Sequence, residues 1–124
     1  MLALLLAFSL EAATPPTPLA GDWVVDLSAR PDQPYFKGMS LRLEADGRVT
    51  GGFYDSEIQA GRWKTSKGRT CASFRTTDGQ GPYHTSVCQA ADGLEGQTWA
   101  EHRNFVFIWR AKPANEEDRK AKWW

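Results

Sequence analysis

His84 and His102 are the only histidines in the chain, and imidazole is the side chain best suited to proton transfer or metal ligation near neutral pH. Either could join Asp55, Glu57 or Glu101 in a metal site or act as a general base, and those acids could supply a carboxylate pair. Charged turn residues and isolated histidines are more commonly just solvated. The spacings that name a reaction are missing: there is no Gly-x-Ser-x-Gly, His-Glu-x-x-His, Walker loop or Cys-x-x-Cys. No catalytic residue, metal ligand or cofactor is therefore assigned.

The two cysteines, Cys71 and Cys88, carry a sharper signal. Counting outward from a two-residue turn at Gly79-Gln80 sets them opposite each other on a hairpin over residues 69–89. They fall on a non-hydrogen-bonded pair, where Cα atoms lie closest and a disulfide fits with least strain. The alternative is two buried free thiols. The same register turns Ala72, Phe74, Thr76, Tyr83, Thr85 and Val87 inward, and Ser73, Arg75, His84 and Ser86 outward.

The elements that must position these groups are strands. Short β-type runs at 23–27, 39–44, 48–54, 58–65, 69–77, 82–89, 94–100 and 105–111 are separated by turns too tight for crossovers, so sequence neighbours should pair antiparallel. The strings Ala45-Asp46-Gly47 and Ala91-Asp92-Gly93 each read as a type I turn closed by a left-handed glycine. That loop sets Leu43 opposite Val49 and Leu41 opposite Gly51, with Leu41, Leu43, Val49 and Phe53 on one face and Arg42, Arg48 and Thr50 on the other. Phe105-Val106-Phe107-Ile108-Trp109 is apolar on both faces, as a strand covered from outside would be. The fold expected is all-β: an eight-stranded antiparallel up-and-down meander barrel over residues 19–113.

Lys+Arg and Asp+Glu both number 15 in the 124 residues, so no net field draws the chain to nucleic acid. Residues 1–13, apolar and ending at Ala12-Ala13, read as a secretory signal, too short to span a bilayer. A packed or disordered N-terminus is the alternative. With an even cysteine count, a signal implies a periplasmic or secreted protein without a membrane span. Pro-rich residues 14–18 form a spacer, and residues 114–124 a charged tail whose Asn115 cap, early acids and late bases suit a short helix. Trp123 and Trp124 could dock on this barrel or on a protein partner, and a frayed tail is the alternative.

Gly21-Asp22-Trp23 at the first strand resembles the opening of lipocalin-like and avidin-like barrels, and the strand pattern over residues 20–111 is similar. The chain also resembles small exported bacterial β proteins of no assigned mechanism. The barrel resemblance implies structural roles for Gly21 and Trp23, and a basic residue of the closing strand set against that Trp: Arg110, with Arg103 as the fallback. A meander sends the long loop 28–38, residues 55–57, 79–80 and 102–103 to one rim, the expected mouth. Tyr35, Phe36, Tyr54, Phe74, Tyr83, His84 and His102 are the candidate ligand contacts. The function expected is non-enzymatic binding of a small, partly apolar molecule. A protein-interaction module (an inhibitor or accessory subunit) and a small cyclase or isomerase are the alternatives.

Overall fold

The alternating runs become strands, each paired with its sequence neighbours. A computed structural model describes residues 19–124; the leader and proline spacer expected within 1–18 lie outside the described residues. The strands are β1 (Gly21–Asp26), β2 (Phe36–Leu43), β3 (Arg48–Phe53), the short β4 (Ser56–Glu57), β5 (Gln59–Ser66), β6 (Arg69–Thr77), β7 (Pro82–Ala90), β8 (Gly93–Ala100) and β9 (Phe105–Pro113). β1 pairs antiparallel with both β2 and β9, and β2 with β3, so the sheet closes on itself. The result is an eight-stranded up-and-down antiparallel barrel, consistent with a calycin-like barrel, with β4 folded back on β3.

The turns set the registers. Leu43 faces Val49 and Leu41 faces Gly51 around a loop closed by Gly47 at φ +92. The second Ala-Asp-Gly string departs from expectation: Ala90 pairs with Gly93, leaving a two-residue turn, and Gly93 sits inside β8 at φ +154. Packing explains the difference, since a Cβ on Gly93 would lie 2.2 Å from the Ala111 carbonyl oxygen of β9. Cys71 faces Cys88 and the two are disulfide-bonded, with Cα atoms 4.0 Å apart. The ladder ends at Thr77 and Pro82, so the loop is longer than the Gly79-Gln80 pair while the register is unchanged.

Side chains fill the barrel, as in small barrels generally. At the end away from the long loop, Leu19 and Trp23 are almost fully buried, and the Trp23 indole N–H donates to the Leu19 carbonyl at 3.0 Å. Midway, Phe53 stacks on Trp109 at 5.7 Å and meets Phe74 edge-on at 6.3 Å. The Trp109 ring lies across Gly96, where a Cβ would come within 2.5 Å of it. Its indole N–H donates to Thr98 Oγ1 at 3.0 Å, and Thr98 and Thr85 share a hydrogen bond of 2.9 Å. Buried hydroxyls and indole are thus paired, which avoids the cost of leaving them unsatisfied.

Three expectations fail on the outer surface. Arg110 does not cover Trp23: it alternates outward between buried Trp109 and Ala111 and pairs with Glu95 at 3.4 Å. Among the described residues nothing covers Val106 and Ile108, and Ile108 is 81% exposed. The tail is not frayed: helix α1 (Glu116–Arg119) has a reciprocal cap between Asn115 and Asp118, and Arg119 donates to Asp22 at 2.9 Å. Trp123 meets Phe36 at 5.9 Å, and Trp124 lies over Gly38, where a Cβ would come within 2.6 Å of its ring. Both rings are half-buried on their own barrel, because Gly38 leaves room for a flat ring and Phe36 packs on Trp123 at a tilt of 57°.

Candidate functional site

The rim that gathers the long loop, the β3–β4 turn, the β6–β7 loop and residues 101–103 holds a pocket of about 110 Å³. Phe53, Tyr54, Tyr83 and Phe107 supply four aromatic walls and Leu27 an aliphatic one. Ser56, Thr76 and Thr98 add hydroxyls, and Asp78 the one carboxylate in the lining. Strand parity places Phe53 and Phe107 inward, whereas Tyr54 arrives by a turn.

That turn is strained. Tyr54 and Asp55 both have left-handed backbones, at φ +53 and +60, and link Phe53 to Ser56 as the two-residue turn of a hairpin. Asn-Gly is favoured there, and an L side chain in this region costs about 1–2 kcal/mol per residue. The surroundings over-determine the conformation. Lys37 Nζ sits 4.6 Å above the Tyr54 ring and 3.5 Å from Asp55. Tyr35 meets Tyr54 edge-on at 6.0 Å, and Ser56 Oγ donates to the Thr77 carbonyl at 3.0 Å. The long loop is tied at its base by Leu27 N–H to the Tyr35 carbonyl and Tyr35 N–H to Ser28 Oγ, both 2.8 Å.

On the facing rim the Tyr83 hydroxyl donates to Asp78 Oδ2 at 2.6 Å, and the Gln80 N–H to Asp78 Oδ1 at 2.8 Å. These bonds hold the Asp78 carboxyl below its ordinary pKa, while burial, then Asp78 itself, pushes the Tyr83 phenol up. Asp78 is thus anionic and Tyr83 a protonated donor across the neutral range. His102 packs edge-on to Tyr83 at 5.1 Å with Nε2 3.9 Å from Asp78, an ion pair when the imidazole is protonated.

No protein-family model, curated protein or solved structure matches this chain. The site is therefore read from its own geometry. Of the candidate contacts, Tyr54 and Tyr83 line the pocket, Tyr35 braces Tyr54 and His102 braces Tyr83. The others sit elsewhere. Phe74 is buried in the core, Phe36 anchors Trp123 outside, and His84 is exposed, 4.0 Å from Glu101. The histidines engage separate carboxylates, and among the described residues no group of three His, Cys, Asp or Glu could hold a metal.

Sequence reasoning missed Asp78, Phe53, Phe107 and Lys37 as site residues. Phe53 and Phe107 were accessible from parity, but Thr77-Asp78-Gly79 reads as ordinary turn chemistry. A larger groove of about 810 Å³ runs outside β2 and β3, but it is open, and several of its polar groups are already engaged: Arg48 with Asp46, Ser40 with Asp22, and Arg42 and Glu44 with Thr50.

Proposed function

We propose that this is an exported, non-enzymatic binding protein of lipocalin-like design that takes a small, partly apolar ligand at the long-loop end of the barrel. The observation that carries the reading is the mouth pocket, which joins aromatic walls to a single carboxylate and is edged by a strained turn. A cavity near 150 Å³ takes a benzene ring, so about 110 Å³ holds one compact group, with the rest of the ligand lying over Tyr35 and Tyr54. The rim's polar groups bond to one another, an arrangement suited to holding a ligand more than to moving protons. Export is supported by the disulfide and the apolar leader. The test is a thermal-shift screen of small ligands followed by titration of Tyr83→Ala. A hit that raises the Tm of the wild type but not of the variant supports the reading; a hit that binds both equally places binding away from the mouth.

One observation favours an interaction module. Val106 and Ile108 share the outer face of one strand and are 46% and 81% exposed among the described residues. The occupant this reading commits to is a second copy packing sheet against sheet. Sedimentation should then show a dimer that Ile108→Lys dissociates, and a wild type that stays monomeric at high concentration would exclude it.

A further inference from the structure

We infer that the group the mouth pocket receives is an alkylated ammonium, a trimethylammonium-type head, held by aromatic faces and the Asp78 carboxylate. The inference rests on the mouth-binding reading and adds the chemical class.

Size is the first argument. Scaled against a benzene-sized cavity, about 110 Å³ suits a compact group of about four or five heavy atoms. Wall chemistry is the second. Four aromatic residues and one leucine line the space beside three hydroxyls and Asp78, and an aromatic face attracts a cation through the negative lobe of its quadrupole. An alkylated ammonium is weakly hydrated and enters such walls at a smaller desolvation cost than a primary ammonium. Charge is the third: Asp78 stands at the rim with its oxygens oriented by Tyr83 and Gln80, so the countercharge is in place before the ligand arrives.

The neighbouring cations do not fill this role. Lys37 lies over the Tyr54 ring but is matched by Asp55 at 3.5 Å, and it is not among the residues that line the pocket. His102 meets Tyr83 edge to face, and its Nε2, 3.9 Å from Asp78, competes for that carboxylate only when the imidazole is protonated. The Lys37 contact shows that one of these rings already accepts an ammonium on its face.

A pair of probes of equal shape separates charge from size: choline and its neutral carbon analogue 3,3-dimethyl-1-butanol. Each is titrated into the full-length protein at constant ionic strength while the aromatic NMR signals of Tyr54, Tyr83 and Phe107 are followed. The expected result is that choline binds about thirtyfold tighter, the scale of one desolvated cation–π contact, and that Asp78→Asn weakens choline more than the alcohol and so narrows the gap. Equal affinities, or preference for the alcohol, overturn the ammonium assignment and leave the mouth reading standing. If neither probe moves those signals at millimolar concentration, the ammonium assignment falls and the mouth reading falls with it.

Discussion

Trp23 shows how much one side chain decides at the closed end. Its ring is 1% exposed, it packs in the same core as Leu19, Met39, Leu41 and Leu94, and its indole N–H satisfies the Leu19 carbonyl. Trp23→Ala should cost about 3–5 kcal/mol, the usual loss on emptying a large aromatic core site, measured by urea unfolding. A change well under about 1 kcal/mol would mean that the plug is formed by other residues. At the open end the opposite holds, because Asp55 is kept where glycine would be relaxed. Asp55→Gly should therefore raise stability by about 0.5–1 kcal/mol, the left-handed penalty less an exposed ion pair with Lys37. Loss of stability instead would show that the Tyr54–Asp55 turn is unstrained.

At the scale of elements, two ties hold the barrel together. The β6–β7 hairpin is bridged across a sequence separation of 17, and under the chain-entropy model such a bridge adds about 3 kcal/mol by restricting the unfolded chain. Replacing both cysteines by Ala should lower stability by that order without changing the pairing, which hydrogen exchange of β6 and β7 can confirm. Mass spectrometry finding both thiols alkylated without reduction would remove the bridge altogether. The second tie is α1, fastened to β1 by Asp22. Ser40, then Arg119, hold the Asp22 carboxyl below its ordinary value of 3.8. A depressed folded pKa contributes stability that is complete above the unfolded value and is lost as pH falls through the folded one. Release of the tail should therefore accompany acidification below 3.8, seen as growing solvent access to Trp124. Asp22→Asn should abolish this acid step; an unchanged step would assign it to another carboxyl.

At the scale of the whole molecule, the barrel is polar in design: a plugged end with tight turns, and a mouth with the long loop and the pocket. Binding should follow that division. Tyr54→Ala and Tyr35→Ala should each weaken a mouth ligand by about 1–2 kcal/mol, within the range of lost aromatic contacts. Asp46→Ala should lower stability through the turn it holds with Arg48 and leave affinity alone. Calorimetric titration of the three variants decides it, and loss of binding in Asp46→Ala alone would move the site to the other end.

Much of this was legible in the residues themselves, for a local reason. Strand parity has a period of two and turn length sets register, so the Cys71–Cys88 pair, the facing of Leu41 with Gly51 and the membership of the mouth rim follow from counting. Arg110 could be excluded as a cover for Trp23 by the same parity, since it alternates with Trp109 and Ala111. What counting does not supply is which inward side chains fill the interior and which leave space, because that depends on volumes contributed by strands far apart in sequence and brought together only by closure. Phe74 and Phe107 both point inward, yet one is core and the other lines the pocket. Nor does the tail's sequence disclose its seat: Trp124 finds Gly38 and Arg119 finds Asp22 across some eighty to a hundred residues, contacts that exist only once β1 and β2 lie side by side.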